Sequence, residues 1–264
     1  MTRSAYYAWD ERPESNRSKR KKELTKRVRE EFFTNHRIPG AEKIAEKLSK
    51  TGERVGRKAV GTIMRENGWK SKVVKKYKAT TNSNHNLPVA ENLLQQQFSA
   101  TRSNQKWVSD ITYIPTDEGW LYLAGILDLY GREPVGWAMG ERMTKELVIR
   151  ALRQANGRRG EPKSVLIHSD RGSQYCSYAY QKELKKGGFI CSMSRKGNCY
   201  DNAPMESFWG KLKQEWLNGK RFRTRKEAMQ AVFWYIEVYY KNYRLHESNG
   251  YQTPADHLKA AANF

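Results

Sequence analysis

The chain has 264 residues, 38% of them hydrophobic, and carries 49 Lys+Arg against 28 Asp+Glu, a formal net charge of +21. This length allows one medium domain with a buried core plus a smaller domain, and the absence of a run of about 18 apolar residues excludes a membrane span. An excess of positive charge this large indicates a polyanionic partner, most commonly nucleic acid, with a solvated basic surface as the alternative.

The first 75 residues predict three short amphipathic helices. Residues 1–80 hold 23 Lys+Arg against 10 Asp+Glu, so this is also the most basic part of the chain. Apolar residues recur at helical spacing in three segments, which are separated by Pro39-Gly40 and Thr51-Gly52 and closed by Asn67-Gly68. They are Leu24, Val28 and Phe32, then Ile44, Ala45 and Leu48, then Val60, Ile63 and Met64.

The third of these helices carries three basic residues, Arg57, Lys58 and Arg65. Three short helices with a glycine-containing turn before the last one are typical of a helix-turn-helix unit, whose last helix contacts DNA. We therefore predict a DNA-binding region over residues 1–75, with these three cations at the interface. A small basic three-helix bundle with a solvated face is the alternative.

Residues 76–102 are polar and predict a linker, with one helix from Pro88 to Phe98. After the linker, runs of β-branched and aromatic residues predict five strands. The first three are joined by short turns and the last two alternate with helices, which describes a mixed sheet with helices on its faces. The predicted strands are Trp107–Ile114, Trp120–Leu129, Pro134–Met139, Val165–Ser169 and Phe189–Met193, with helices around Leu147–Leu152 and over Tyr178–Lys186.

This order of elements matches an α/β, RNase H-like fold, in which a mixed five-stranded sheet has flanking helices. Other α/β arrangements fit the same pattern. We assign residues 103–217 to this core and residues 218–264 to a C-terminal helical extension. Aromatic residues crowd that extension, and packing is favoured there over stacking on bases.

Three acidic residues occupy unusual places. Asp110 and Asp170 lie in or directly after predicted strands, which disfavour aspartate, and Glu206 opens an amphipathic helix predicted over Met205–Trp216. Three carboxylates brought together would raise each other's pKa unless a shared divalent cation favoured their ionisation. In a chain this basic, the arrangement indicates metal-assisted chemistry on a phosphodiester.

Polar residues near these acids each have two interpretations. Glu206 could instead complement the helix dipole, with Asp201 or Asn202 as the helix cap. Lys213, seven residues after Glu206, lies nearly above it on the helix and could hold a phosphate. Asn202 could cap its loop, order the site or contact DNA, and Arg171 could form a surface ion pair or contact a phosphate.

Three further features have expected roles other than metal binding. His168 shares a strand face with Asp170, and a satisfied core histidine is favoured over support of a metal site. Asp128 is expected to cap a turn. The cysteines show no zinc-finger spacing, so we expect reduced, buried thiols in a cytoplasmic chain, and residues 1–9 lack the apolar stretch of a signal peptide. The cysteines are Cys176, Cys191 and Cys199.

The flanks of the acids carry a known pattern. Asp170 and Glu206 enclose 35 residues, within His168-Ser-Asp170-Arg-Gly-Ser-Gln-Tyr175 and Asn198-Cys-Tyr-Asp-Asn202-Ala-Pro-Met-Glu206-Ser-Phe208, and Asp110 lies in Trp107-Val-Ser-Asp110-Ile-Thr-Tyr113. These motifs resemble the D,D(35)E pattern of DDE transposases and retroviral integrases, with Lys213 at the position of that family's basic residue. Ser4-Ala-Tyr-Tyr-Ala-Trp9 and the tail Tyr240-Lys-Asn-Tyr-Arg244-Leu-His246 extend the resemblance to the second-frame transposase of the insertion-sequence-three family.

The resemblance implies that Asp110, Asp170 and Glu206 ligate two Mg²⁺ ions, which Mn²⁺ can replace. One ion would activate water and then a DNA 3′-hydroxyl, and the other would stabilise the leaving 3′-oxygen. The implied reaction is 3′-end cleavage and strand transfer, in which the freed end attacks the opposite end of the element. A hydrolytic nuclease with the same site and a DNA-binding regulator with an inert core are the rival functions.

The resemblance also implies partners. They are double-stranded DNA of the element ends and the target, further copies of the chain, and the first-frame protein or its frameshift fusion, because no heptad repeat precedes the first motif. A bacterial cytoplasmic, nucleoid-associated protein without a membrane partner is expected. The expected DNA contacts are Lys213, Arg171, Asn202, Arg57, Lys58 and Arg65.

Overall fold

The computed structural model describes residues 14–52, 54–72, 87–195 and 198–262. The chain divides into two compact units, Met1–Lys72 and Val73–Phe264. None of the helices in the described ranges has the length and apolar character needed to span a bilayer.

The first unit is helical and confirms the three predicted amphipathic segments. They form α1 (Asn16–Thr34), α2 (Ala41–Lys50) and α3 (Arg57–Glu66). The predicted apolar positions meet in one small core, against which Trp69 also packs. Because α2 and α3, of 10 residues each, are too short to be stable alone, this shared core is what holds the helix-turn-helix-like unit together.

Residues 87–105, directly before the sheet, contain no helix, so the helix predicted over Pro88–Phe98 is wrong. The amides of Leu93 and Leu94 donate to the Ser192 hydroxyl at 2.9 and 3.2 Å, which takes donors that a helix would use. Gln95 has a φ of 47°, outside the range of a right-handed helix. The part of the predicted linker before residue 87 lies mostly outside the described residues.

Five strands form one mixed sheet in the second unit, in the order β3-β2-β1-β4-β5. β1 pairs antiparallel with β2, and β2 with β3, whereas β4 runs parallel to both β1 and β5. All five strands were predicted, and their order and directions are those of an RNase H-like fold. They are β1 (Lys106–Thr116), β2 (Gly119–Asp128), β3 (Glu133–Gly140), β4 (Leu166–Ser169) and β5 (Ile190–Met193).

Helices cover the sheet and continue beyond it. α4 packs on β2 and β3, and α7 packs on β1. The core between sheet and helices includes the fully buried Trp107 of β1. The helices are α4 (Lys145–Arg158), α5 (Ser173–Cys176), α6 (Tyr178–Gly187), α7 (Ala203–Leu212), α8 (Arg225–Phe233) and α9 (Pro254–Ala262), with π-helical turns over Lys213–Leu217 and Trp234–Tyr240.

Candidate metal and nucleic-acid site

Asp110 and Asp170 lie side by side on neighbouring parallel strands. β1 and β4 pair with Val108 opposite His168. Residues two positions further along a strand point to the same face, so Asp110 in β1 comes level with Asp170, which directly follows β4. The charge of Asp170 raises the pKa of Asp110, as this adjacency requires. Both side chains are half-buried.

The pKa of Asp110 is raised to about 8. Burial is the main cause, and the negative charges of Asp170 and, more weakly, Glu206 add to it, while N–H donors from the Ile111 backbone and Trp209 partly offset the rise. The carboxyl is therefore reluctant to ionise without a compensating cation. The three predicted acids share one electrostatic environment.

Asp170 and Glu206 are held in different ways. The Asp170 Oδ1 atom accepts the Gly172 amide at 2.8 Å, which fixes this carboxylate at the turn after β4. Glu206 lies in the first turn of α7 and is exposed, although burial of its carboxyl raises its pKa. Within the described ranges, no three Asp, Glu, His or Cys side chains form a group that could hold a metal ion as they stand.

Trp209 is a neighbour of Asp110 that the sequence analysis missed. Its Nε1–H donates to Asp110 Oδ2 at 3.1 Å. The indole lies against Gly125, which pairs with Asp110 across β1 and β2, and a Cβ at that glycine would come within 2.6 Å of the ring. The available signal was a glycine inside the apolar strand β2, since such a glycine often marks a close approach.

Hydrogen bonds between buried groups link β1, α5 and the residue before α7. Asn202, just before α7, donates its Nδ2–H to the carbonyl of Ser109, the residue before Asp110, at 3.1 Å. The Ser109 hydroxyl in turn pairs with the Tyr175 hydroxyl of α5 at 2.9 Å. Asn202 is only 5% exposed, so its placement favours the predicted ordering role and not a DNA contact or helix cap.

Asp201 anchors the loop before α7 and does not cap the helix. It is fully buried and accepts hydrogen bonds from Asn92, Gln96 and Arg195, with both carboxylate oxygens engaged by the Arg195 guanidinium at 3.2 and 3.0 Å. Although burial opposes it, these bonds hold the pKa of Asp201 well below its usual range. The position of Glu206 therefore depends on a carboxylate that stays charged.

Lys213 lies on the side of the acids, as predicted. Its Nζ is 5.0 Å from the centroid of the Tyr113 ring, three residues after Asp110. Burial lowers the pKa of Lys213 to about 8, and the charge of Asp110 acts in the opposite direction. The predicted helix over Met205–Trp216 is found, but it begins earlier as α7 and its last turn, starting at Lys213, is π-helical.

Arg171 and His168 support the end of β4. The Arg171 Nε–H donates to the Ser194 carbonyl at 2.5 Å. His168 is fully buried with its ring nitrogens bonded to the hydroxyls of Ser192 and Ser194 at 2.8 and 3.1 Å, and burial lowers its pKa to about 4. His168 is thus the satisfied, neutral core histidine that was favoured from the sequence.

The remaining predicted residues are on other elements of the chain. Arg57, Lys58 and Arg65 are exposed on α3, on the helix surface not used by its buried residues. Asp128 caps its turn as expected, because its Oδ1 accepts the Tyr130 amide at 3.0 Å. Cys176 is a free, buried thiol.

Comparison with known proteins assigns both units. An integrase core domain model matches residues 100–199, a further integrase core domain model matches residues 188–254, and an HTH-like domain model matches residues 19–77. The fold is therefore that of an integrase-core protein with a helix-turn-helix-like unit at its N-terminal side.

Two curated relatives identify the family within this class of protein. A 31 kDa protein of insertion element IS600 from Shigella sonnei is 47% identical over 255 residues, which cover 97% of this chain and 94% of that protein. The transposase InsF for insertion sequence IS3A from Escherichia coli strain K12 is 41% identical over 256 residues, covering 96% and 89%. The chain belongs to the insertion-sequence-three family of transposases.

Solved structures of integrases are more distant. The HTLV-2 integrase catalytic core domain in complex with magnesium is 16% identical with a TM-score of 0.47, over 60% of this chain and 97% of that chain. The simian T-cell lymphotropic virus intasome in complex with the PP2A regulatory subunit B56 gamma is 16% identical with a TM-score of 0.46, over 80% and 68%.

Proposed function

We propose that this transposase chain cleaves DNA at the 3′ ends of an insertion sequence and transfers those ends to a new strand, using divalent cations held by Asp110, Asp170 and Glu206. The observation that carries the proposal is the pair Asp110 and Asp170, level on adjacent strands, where burial and mutual charge raise the pKa of Asp110 to about 8. A fold that holds two carboxylates so close gains most when a cation lies between them.

The donor chemistry fits Mg²⁺. This ion binds through one or two carboxylates and completes its shell with water and phosphate oxygens, so a half-buried aspartate pair open to substrate suits it, and Mn²⁺ takes similar ligands. Glu206 is exposed on the first turn of α7 and its charge acts on Asp110, which makes it the third carboxylate of the proposed site. When bound, two such ions supply an activated nucleophile and a stabilised leaving oxygen.

The residues of the chain then have distinct roles. Asp110 is oriented by Trp209, and Asp170 by the Gly172 amide, so neither carboxylate must be ordered when DNA arrives. Lys213, held over Tyr113, can neutralise a phosphate of the bound strand, and Arg171 lies next to Asp170 for a similar contact. Arg57, Lys58 and Arg65 would contact the backbone of the element end.

The assembly is part of the proposal. Joining one element end to another strand requires two DNA segments at one site, which favours more than one copy of the chain and a first-frame protein, or its fusion to this chain, for end recognition. The HTH-like unit supports DNA binding by this chain itself.

The test uses a labelled duplex that carries an element end, incubated with the full chain and Mg²⁺. We expect 3′-end cleavage and joining products, which disappear when EDTA replaces Mg²⁺. Asp110→Asn, Asp170→Asn and Glu206→Gln should each lower both rates by about 10³-fold, since each removes part of a metal site worth several kcal/mol in the transition state.

Two exposed acids provide matched controls. Asp117→Asn and Glu161→Gln make the same chemical changes on the surface and should leave both rates unchanged. Cleavage without joining would favour a hydrolytic nuclease. Full activity in all three site variants would contradict the proposal and favour a DNA-binding regulator.

A further inference from the structure

A cleft with both apolar and cationic lining lies beside α7, in the same unit as the acids. It has a volume of about 310 Å³ and is bounded by α7, the turn after β2 and the chain between Tyr240 and Ser248. Ser207 and Lys211 contribute from α7, where they lie on a face next to that of Glu206, since successive helix residues are rotated by about 100°.

The lining of this cleft is basic. Arg132, Lys211 and Arg244 line it together with His246, and no aspartate or glutamate does. Arg244 is already neutralised by the buried Glu215, whose oxygens accept its Nε–H at 2.9 Å and its Nη2–H at 2.8 Å. Arg132 and Lys211 have no carboxylate partner among the described residues.

The environment and backbone conformation of Arg132 are energetically unfavourable. It donates one Nη2–H to the Phe98 carbonyl at 3.2 Å, and burial lowers its pKa. Its backbone φ is 55°, in the left-handed region that favours glycine or asparagine. A partly desolvated guanidinium on a strained backbone, with no carboxylate beside it among the described residues, is stabilised when an external anion binds to it.

The occupant is best matched by a phosphodiester group. Two cations line the cleft together with Ser207 and Ser248, a set of donors that suits the oxygens of a DNA backbone. Lys211 is five residues after Glu206 on the same helix and about 140° around it, so a strand that passes the acids would cross the exposed face of α7 to reach the cleft. A sequence-reading role is not required, because phosphate contacts position DNA without specifying bases.

We propose that the cleft between Arg132 and Lys211 holds a backbone phosphate of the DNA at a site separate from the acidic pair, and so fixes the direction in which the strand leaves α7. This inference rests on the proposed function, because it takes DNA as the substrate. It assigns binding, not chemistry, to these residues.

The test measures DNA affinity without metal. Fluorescence anisotropy in EDTA, with a labelled duplex carrying an element end, would compare the full chain with Arg132→Gln, Lys211→Gln and the double variant over a range of salt concentrations. Because both residues hold the same phosphate, the double variant should reduce the steepness of log K against log salt by about 0.9, and each single variant by no more than that. A background with Arg57, Lys58 and Arg65 changed to Gln keeps the helical unit from masking the difference.

The controls separate binding from folding and from catalysis. Arg102→Gln with Lys226→Gln removes the same two charges from exposed positions of the same unit. Lys211 is on the helix surface, so its variant should keep the unfolding temperature of the parent. Equal affinity and salt slope in the cleft and control double variants would overturn the inference. If the cleft variants bind weakly while the parent chain shows no Mg²⁺-dependent cleavage, the inference stands and the proposed function fails.

Discussion

The two units of the chain place their charges in opposite ways. In the helical unit the interior is apolar, and ion pairs such as Lys21 with Glu66 lie on the surface, with side chains 55% and 46% exposed. In the sheet unit, Asp128, Asp201 and Glu215 are buried inside the fold. Surface cations can attract a polyanion at little cost, whereas buried acids require partners that the fold must place.

This difference separates two ways of making a nucleic-acid protein. The exposed cations of α3 need only a stable helix beneath them, so their contribution should be independent of one another and sensitive to salt. The acids of the sheet unit depend on neighbours from distant parts of the chain, so single changes there should affect stability and activity strongly. Four changes test this contrast, beginning with the largest expected effect.

The largest effect on the free energy of unfolding is expected for Asp110→Asn. Its ordinary pKa near 3.9 in an unfolded chain becomes about 8 in the folded protein, so the folded state binds the proton more tightly. In EDTA, the free energy of unfolding of the parent should therefore fall as the pH rises from about 4 to about 8. Asp110→Asn should not show this fall, so at the higher pH it should be more stable than the parent. Urea unfolding followed by tryptophan fluorescence at about pH 5 and about pH 8.5 measures it.

The surface variant Asp117→Asn is the control, and it should keep the pH dependence of the parent. Six of the eight tryptophans lie in residues 103–264, so the fluorescence reports mainly on the sheet unit. An Asp110→Asn protein that loses stability with pH as steeply as the parent would show that this carboxyl is not strained by burial and charge.

The second effect concerns the buried pair Glu215 and Arg244. The guanidinium and the Tyr235 hydroxyl satisfy both oxygens of Glu215, with the hydroxyl at 2.7 Å. Arg244→Met leaves the buried Glu215 carboxylate without its guanidinium partner and should lower the free energy of unfolding by about 3–5 kcal/mol, whereas Lys21→Met, at a surface pair, should cost about 1 kcal/mol or less. Urea titrations compare the two.

The double variant Glu215→Met with Arg244→Met tests whether the unpaired charge of Glu215 causes the loss of stability in Arg244→Met. Replacing both partners removes the stranded charge, so most of the stability lost in Arg244→Met should return. A double variant as unstable as the single one would show that packing around the guanidinium, and not the charge of Glu215, is what matters.

The same contrast explains what the sequence could predict. Strands and helices follow from local periodicity, and the five strands and the three N-terminal helices were all predicted from it. The helix over Pro88–Phe98 was wrong because Ser192, about a hundred residues away, accepts the amides of that segment. Long-range hydrogen bonds of this kind leave no periodic signal.

The candidate site also combines features that the sequence predicts with contacts that only the fold reveals. The positions of Asp110 and Asp170 on strands follow from the sequence, because two strand aspartates are unusual in themselves. The bond from Trp209 to Asp110 and that from Asn202 to Ser109 join residues over ninety positions apart, so their partners could be found only from the fold. Gly125, which makes room for Trp209, was the one local sign of that contact.

The third effect tests one of these long-range partners. Trp209→Phe keeps a ring against Gly125 but removes the N–H donor to Asp110. Because a lost orienting bond to a metal ligand typically costs 10–100-fold, the Mg²⁺ concentration for half-maximal cleavage should rise by roughly tenfold or more. Trp137→Phe loses a similar donor to Glu237 and should leave the Mg²⁺ requirement unchanged. An unchanged requirement in Trp209→Phe would mean that Asp110 is oriented without the indole.

The smallest effect on stability is expected in the helical unit, although the same changes should clearly weaken DNA binding. Arg57→Gln, Lys58→Gln and Arg65→Gln should each change the free energy of unfolding by less than about 0.5 kcal/mol, because the side chains are exposed. Each should nevertheless weaken DNA binding and lower the salt slope by about 0.9, with effects that add in the triple variant, since independent phosphate contacts release counterions independently. Titration of a labelled duplex at several salt concentrations measures both.

The comparison variant changes three exposed cations of α1, Lys19, Arg20 and Lys26, to Gln. It has the same net charge as the triple variant of α3, so a general electrostatic attraction would weaken binding equally in both. A larger loss from α3 would identify that helix as the DNA-contacting surface, because only direct contacts depend on where the charges lie. Equal losses would instead favour the small basic bundle with a solvated face, and would leave the acids of the sheet unit as the part of the chain that positions DNA.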